Sequence, residues 1–222
     1  MEYFIDTNMS IGYSFSCDKW HKLTFDFISD HKNNINWSDN VETEFNTKFR
    51  EIFEEINRFI NALPKLIKED SEDFLNVYSF EKYVLGKTHN CTLDIFKKSK
   101  IIEYFWNNYV YNSNTSNSDL KIKLEMFIST YLIEYDILKK QLESIVKPYN
   151  CGTNNYLNYP KLINKLFNEI KVHNPDYKIA IDCQDFAMKN NFDVTFVTSD
   201  EKLYNLIIDL TELTFKKYCI IN

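Results

Sequence analysis

Hydrophobic residues along the chain follow two kinds of pattern. Short apolar runs near the two ends, residues 2–6 and 194–198, are typical of buried strands, and "KYCIIN" closes the chain with a third. Between them, apolar residues recur at spacings of three and four, which is the period of an amphipathic helix. Strands that alternate with helices predict an α/β fold whose central sheet is mostly parallel.

Local signals indicate where the helices begin and end. We expect an early helix over about 18–30 and a long one that starts after Ser38 as N-cap and stops at Pro64. "KNNINW", between these two helices, is interpreted as a brief extended link. A late helix is predicted to start with Asn174 as N-cap and Pro175 at its first position.

The middle of the chain differs from its ends. Residues 65–147 are mostly helical in pattern, interrupted by the polar tract 112–119, and residues 148–160 have the composition of a loop. This organisation predicts an α/β core that is split by a large helical insertion. We place the core at 1–60 and 161–222 and the insertion at 61–160.

Composition agrees with a globular protein rich in helices. Hydrophobic residues make up 44% of the 222 positions and aromatic residues 16%, which is enough for a sizeable core. With only 3 Gly and 4 Pro, the chain has few residues for tight turns, so long helices are favoured over a turn-rich β-sandwich.

Cysteine usage and hydropathy bear on the compartment. The five cysteines are scattered, form no C-x-x-C pair and have no histidine at zinc-ligand spacing, so reduced thiols are expected. Neither a signal peptide nor an apolar run of transmembrane length is visible. These features predict a cytoplasmic protein without a membrane partner.

Net charge limits the mode of nucleic-acid binding. The chain has 32 acidic and 26 basic residues, a net charge of −6. This balance argues against extended, nonspecific binding, which depends on phosphate neutralisation by Lys and Arg. A local basic patch and an acidic metal site both stay compatible with it.

Two of the predicted strands end in an acid. Asp6, Thr7 and Asn8 follow the first run, and Thr198, Ser199 and Asp200 end the run near the C-terminus. Loops at the carboxyl ends of parallel strands gather ligands, and two carboxylates brought together there favour a cation such as Mg²⁺ or Mn²⁺. A single aspartate after a strand is more often a turn former or a helix cap, so the combination matters.

Five segments of the chain together carry a family resemblance: "YFIDTNMSIGYSF", "CDKWHK", "WSDNVETEF", "IDCQDFAM" and "VTSDEKLY". These segments resemble the PIN-domain nucleases. The pattern of that family places an Asp after the first strand, a Glu on an early helix, an Asp on a late helix and a T-x-D after the next strand. Asp182 precedes Asp200 by eighteen positions, a spacing that compact members share. The family pattern falls here on Asp6, Glu44, Asp182 and Asp200.

The resemblance implies both a fold and a chemistry. The fold would be a PIN-like three-layer α/β/α arrangement, with the resemblance covering 1–50 and 165–222 and leaving the helical middle as an elaboration. The four acids would hold one or two Mg²⁺ or Mn²⁺ ions and activate water to attack a phosphodiester, most often in RNA. The implied partners are an RNA substrate, a second copy in a homodimer, and an antitoxin or an RNA-processing factor.

Other residues near these motifs have less certain roles. Glu42 competes with Glu44, but residues two apart face different sides of a helix, and Glu44 fits the family pattern better. Asp185 lies one turn after Asp182 and is either an additional carboxylate of the site or a solvated helix acid. Asn8, Thr198 and Ser199 are expected to orient the carboxylates or to cap the turns that follow.

Three other functions stay open. A PIN fold could bind RNA or assemble with a partner without cutting, although the presence of all four acids favours an enzyme. A haloacid-dehalogenase phosphatase also begins with a strand and an Asp, but its chemistry needs a second Asp where this chain has Asn8. A helical interaction protein without an active site would leave the spacing of Asp182 and Asp200 as coincidence.

Overall fold

A computed structural model describes residues 1–67, 74–110, 115–150, 155–191 and 193–221. Strands and helices alternate at both ends of the chain, and helices occupy the middle. The strands are β1 (Glu2–Ile5), β2 (Ile35–Ser38), β3 (Lys147–Tyr149), β4 (Val194–Thr198) and β5 (Lys216–Cys219). The α-helices are α1 (Thr7–Ser14), α2 (His21–Asp30), α3 (Asp39–Leu66), α4 (Val77–Lys87), α5 (Ile95–Phe105), α6 (Asn117–Ile145), α7 (Pro160–Ile163), α8 (Asp176–Lys189) and α9 (Glu201–Ile207). Short π-helical segments at Trp106–Val110 and Asn164–Glu169 and a 3-10 turn at Asn155–Asn158 complete these elements.

The strands form one sheet in the order β3-β2-β1-β4-β5, and every described pairing is parallel. The predicted α/β fold with a mostly parallel sheet is therefore confirmed. All five side chains of β4 are buried, and because successive side chains point to opposite faces, both faces of the sheet are covered there. This arrangement is compatible with a three-layer α/β/α fold.

The segment "KNNINW" was wrongly predicted to be a link, because its last residues form β2. Each of the four residues Ile35–Ser38 is buried, and the strand pairs with β1 through Tyr3 and Phe4. Asn36 is tolerated inside because its amide donates to Glu2 Oε2 at 2.8 Å and to the carbonyl of Tyr3 at 3.2 Å. A buried asparagine with satisfied hydrogen bonds costs little, and it hides the strand from a hydropathy pattern.

Helices α3 and α8 have boundaries that differ from those predicted. Helix α3 continues past Pro64 to Leu66, since a proline near the end of a helix removes only one hydrogen bond. Helix α8 starts at Asp176 with Pro175 as its N-cap, one residue later than expected. Helix α1 was not predicted at all. No helix in the described ranges is both long and apolar enough to pass through a membrane.

The two predicted loops are only partly described. Of the tract 112–119, residues 117–119 belong to α6, and 112–114 lie outside the described residues. Of the stretch 148–160, part belongs to β3 and to the 3-10 turn, and 151–154 lie outside. Parts of both segments therefore form regular secondary structure, although their polar composition predicted loops.

The chain divides into two compact units. The first comprises 1–14, 20–48 and 140–222 and contains the sheet, and the second comprises 15–19 and 49–139 and is helical. The predicted insertion at 61–160 begins and ends later in the chain than the long segment of the second unit.

Aromatic side chains form the core of the second unit. Phe80, Phe105 and Phe127 are fully buried, and the rings of Phe105 and Phe127 lie 5.3 Å apart. Tyr131 contacts both Phe127 and Tyr135 at ring distances of 4.6 and 5.0 Å. Large rings packed at these distances bury much apolar surface, so the high aromatic content of this unit is explained by its core.

The described cysteines agree with the expectation of reduced thiols. Cys17, Cys91, Cys183 and Cys219 are all free, and Cys151 lies outside the described residues. Burial raises the pKa of Cys17 to about 12, so this thiol is protonated and unreactive near neutral pH.

Helices α1 and α2 approach each other most closely at Gly12. A Cβ atom at this position would lie 2.8 Å from Thr24 Cγ2 and 2.9 Å from its Oγ1. Thr24 is buried, and its hydroxyl donates to the carbonyls of Trp20 and His21, so it cannot easily move away. Gly12→Ala is therefore expected to lower the free energy of unfolding by about 1–3 kcal/mol.

Gly86 provides the matched control for Gly12→Ala. Gly86 lies in α4, is exposed, and has nothing within 4 Å of an added Cβ. Gly86→Ala is expected to raise stability by about 0.5–1 kcal/mol, because alanine is the better helix former. Urea unfolding of the two variants measures the contrast, and equal effects would show that α1 and α2 do not depend on this close approach.

Candidate acidic site

The candidate site lies where the strand order reverses. The chain passes from β1 outward to β2 and β3 on one side, then returns to the other side of β1 for β4 and β5. Ligands of parallel α/β sheets bind at this switch point, outside the carboxyl ends of the strands. Ile5 pairs with Val197, so the residues that follow, Asp6 and Thr198, are neighbours across the two central strands.

Asp6 is buried with a carboxylate that accepts two hydrogen bonds. Thr198 Oγ1 donates to Oδ2 at 2.5 Å, and the backbone N–H of Met9 donates to Oδ1 at 2.9 Å. The second of these bonds caps the start of α1. The pKa of Asp6 is raised to about 7, mainly by burial and also by the nearby charges of Asp176 and Asp200, while the two hydrogen bonds act to lower it.

Asp200 is held at the next strand end. It is the N-cap of α9, and its Oδ1 accepts from the backbone N–H groups of Lys202 and Leu203. Asn8 Nδ2 donates to the other oxygen at 3.3 Å. Thr198 Oγ1 accepts from the Asp200 N–H at 2.7 Å while it donates to Asp6, so this hydroxyl joins the two acids. Ser199, which lies between Thr198 and Asp200 in the sequence, is buried.

Glu44 reaches the site from α3. Thr7 Oγ1 donates to Glu44 Oε2 at 2.5 Å, and Lys48 Nζ lies 2.7 Å from Oε1. Glu42, the alternative, is exposed. The structure therefore brings Glu44, and not Glu42, to the residue that follows Asp6.

Asp176 is an acid of this site that the sequence analysis missed. It is the first residue of α8 and is half-buried. The pKa of Asp176 is raised to about 6, mainly by burial and also by the negative charges of Glu44 and Asp200, while Lys48 and His173 act to lower it. An aspartate in the first turn of a helix is so common that its position in the sequence gave no reason to single it out.

Asp182 is buried, and its oxygens accept hydrogen bonds from two neutral side chains. Asn40 Nδ2 donates to Oδ2 at 2.8 Å, and the Tyr156 hydroxyl donates to Oδ1 at 2.7 Å. Asn40 also donates to the Tyr156 hydroxyl, which closes a three-membered network. Asn40 lies one turn before Glu44 on α3, so Asp182 is linked to the acid cluster through this helix. Neither Asn40 nor Tyr156 was predicted.

Asp185 belongs to a different hydrogen-bonded group. The hydroxyls of Tyr149 and Tyr159 donate to its two oxygens at 2.5 and 3.1 Å, and Lys189 Nζ lies 3.0 Å away. The Lys189 ammonium also lies 5.1 Å from the centre of the Tyr149 ring. The carboxylate is buried and ion-paired, so it is not the solvated helix acid considered from the sequence.

The four acids have the chemistry of a divalent-cation site, but their side chains are not grouped tightly enough to form one. Asp6, Glu44, Asp176 and Asp200 supply only oxygen ligands, which Mg²⁺ and Mn²⁺ prefer, and their mutual repulsion would be relieved by a cation. A carboxylate offers about four lone-pair positions, so one that accepts two hydrogen bonds can still coordinate an ion. Among the described residues, however, no three His, Cys, Asp or Glu side chains are grouped closely enough to hold a metal ion.

Comparisons of the chain with known protein families, with curated proteins and with solved structures find no match.

Proposed function

We propose that the protein is a divalent-metal-dependent nuclease of the PIN-like type that hydrolyses RNA phosphodiester bonds. The observation that supports this function best is that four carboxylates lie near the switch point of a parallel sheet, where burial and the charges of neighbouring acids raise the pKa of Asp6 and Asp176. Carboxylates that destabilise one another at a ligand-binding edge are typical of functional sites. RNA as the substrate rests on the sequence resemblance alone.

In this proposal the acids bind Mg²⁺ or Mn²⁺ and hydroxyl and amide groups hold the acids in place. Asp6, Glu44, Asp176 and Asp200 would hold the ion, and Asp182 would keep α3 in position through Asn40. Thr198 orients Asp6, Thr7 orients Glu44, and Asn8 orients Asp200. When bound, the metal would polarise a phosphate oxygen and lower the pKa of water.

Lys48 has a place in the charge balance of the same site. Its ammonium neutralises part of Glu44 at 2.7 Å and lowers the pKa of Asp176. A phosphodiester brings further negative charge, so a cationic side chain beside the acids would favour substrate entry.

Cleavage of labelled RNA tests the function. Single-stranded and structured RNA are incubated with Mg²⁺, with Mn²⁺ or with EDTA, and wild type is compared with Asp6→Asn and Asp200→Asn. We expect cleavage only with the metal, and each substitution is expected to lower its rate by about 10²-fold or more, because a ligand charge is lost from the reacting centre.

Asp26→Asn is the matched control, since Asp26 lies on α2 with an exposed ion pair to Lys22 and should not affect the rate. Metal-dependent cutting that survives both site substitutions would refute the assignment. RNA binding without cutting in any metal would instead favour an inactive RNA-binding module with the same fold.

A further inference from the structure

Helix α6 exposes a second apolar face in addition to the one that it buries. Ile122, Met126, Ile133 and Ile137 are 58%, 58%, 55% and 49% exposed, and we call these four residues the α6 stripe. At about 100° per residue they fall within an arc of roughly 60° on the helix surface. The stripe lies wholly within the helical unit.

The α6 stripe is not needed for the core of that unit. Leu124, Phe127, Tyr131 and Tyr135 of the same helix are buried and supply its core-facing side. An amphipathic helix normally buries one apolar stripe and presents polar residues on the opposite side. The stripe exposes on the order of 400 Å² of apolar surface, which is the size of the largest apolar patch on a typical monomeric protein, and such patches are often functional.

We infer that the α6 stripe pairs with the α6 stripe of a second copy of this chain, with the two helices antiparallel. The spacing is symmetric about the point between Ser129 and Thr130, so Ile122 would face Ile137 of the second copy and Met126 would face Ile133. A two-fold interface requires this self-complementarity, because each surface meets itself reversed. Opposed helix dipoles also favour the antiparallel direction.

The charges that flank the stripe nearly balance in this arrangement. On one flank, Lys123 would lie opposite Glu134 of the second copy, an attractive pair. On the other flank, Glu125 would lie opposite Asp136, a repulsive pair. Since these pairs offset each other, the association is driven by apolar burial and depends little on salt.

The available area places this contact among the smaller protein interfaces. Two stripes with their flanks would bury about 1,000–1,200 Å² in total, which is at the low end for specific protein interfaces. A weak dimer with a dissociation constant in the micromolar range is therefore expected, and the full chain should change from monomer to dimer between about 1 and 200 µM.

Sedimentation velocity over this concentration range tests the interface. Ile133→Glu and Met126→Glu are each expected to weaken dimerisation at least tenfold, because each places a charge in the centre of the apolar contact. Ile95→Glu is the matched control, since Ile95 is 68% exposed on a different helix, α5, and its replacement should leave the dimer intact. A chain that stays monomeric throughout, or a dimer that survives both stripe substitutions, would overturn the inference.

Cysteine cross-linking tests the antiparallel register. In a background with Cys91→Ser and Cys151→Ser, Ser129→Cys lies beside the two-fold axis and should form an intermolecular disulfide on mild oxidation. Ile122→Cys should not, because its two copies would lie about 22 Å apart along the helices. Cross-linking at position 122 without cross-linking at 129 would show that the helices pair in parallel and would contradict the proposed contact. Neither assay depends on nuclease activity.

Discussion

Raising the pH from about 4 to about 7 is expected to destabilise the metal-free protein, and Asp6→Asn is expected to remove most of this loss. The pKa of Asp6 is about 7 in the folded protein against an ordinary value of 3.8, because its carboxylate is buried beside other acids. Folding therefore favours the protonated form of this side chain.

The direction follows from proton linkage. Between the two pKa values the folded protein binds a proton at Asp6 that the unfolded chain has released, so the free energy of unfolding falls as the pH rises. A difference of about three pKa units corresponds to at most about 4 kcal/mol, fully lost only above pH 7. Asp176, with its pKa raised to about 6, contributes in the same direction over a narrower range.

Urea unfolding at pH 5, 6, 7 and 8 in EDTA measures this effect. Wild type is expected to be least stable at pH 8, and Asp6→Asn to be more stable than wild type there by a few kcal/mol, since a neutral amide keeps the hydrogen-bonding shape without the buried charge. Mn²⁺ should restore stability at pH 8 in wild type but not in the variant. Asp26→Asn should follow wild type throughout.

Stability that is constant or rises between pH 5 and pH 8 would contradict this account of Asp6. It would mean that the carboxylate is charged and well stabilised by Thr198 and Met9 without a cation. The combination expected here, a substitution that abolishes cleavage and stabilises the fold, separates a strained functional acid from a structural helix cap. If Asp6 were only a helix cap, the same substitution would leave stability nearly unchanged, because asparagine caps a helix about as well as aspartate.

Two of the three strands that the sequence revealed, β1 and β4, have largely apolar surroundings, and the third, β5, was indicated by the apolar end of the chain although most of its residues are not buried. β1 and β4 lie at the centre of the sheet, so their residues form continuous hydrophobic runs that stand out against the helical pattern. β2 was missed because Asn36 and two preceding asparagines conceal it, although the amide of Asn36 is satisfied inside the fold. Side-chain hydrogen bonds of this kind depend on tertiary neighbours, which a hydropathy pattern does not contain.

The candidate site was predictable to the extent that its residues follow strands. Asp6 and Asp200 were placed together because parallel strands end at one edge, and β1 and β4 are indeed neighbours. Asp176 and Tyr156 come from a helix start and a 3-10 turn whose position depends on how the chain returns across the sheet. No local spacing encodes that return, so these residues could be found only from the fold.

Asp176→Asn is expected to lower the rate of metal-dependent cleavage by about 10²-fold or more, and Asp182→Asn to lower it much less. The reason is the environment of the two acids. The charge of Asp176 acts on Asp6 and is acted on by Glu44 and Asp200, whereas Asp182 accepts hydrogen bonds from the neutral groups of Asn40 and Tyr156. A carboxylate that repels its neighbours gains most from a cation between them.

For folding the order is reversed, because Asp182→Asn is expected to lower the free energy of unfolding more than Asp176→Asn. Asp176 is half-buried at a helix start, so its replacement by Asn should change the free energy of unfolding by about 1 kcal/mol or less. Asp182→Asn leaves an amide facing the Asn40 amide inside the protein and should cost about 1–3 kcal/mol. Urea unfolding and single-turnover cleavage of the same preparations measure both quantities.

A double comparison with Tyr156→Phe makes this prediction decisive. If Asp182 acts through the network that positions α3, removing the Tyr156 hydroxyl should reproduce part of the stability loss of Asp182→Asn and a similar small loss of rate. If Asp182 were itself a metal ligand, as the resemblance to the PIN-domain nucleases implies, Asp182→Asn would abolish cleavage while Tyr156→Phe and Asp176→Asn remained active. That result would identify Asp182, and not Asp176, as the fourth metal-binding acid, and Asp176 would then be an ordinary residue of a helix N-terminus.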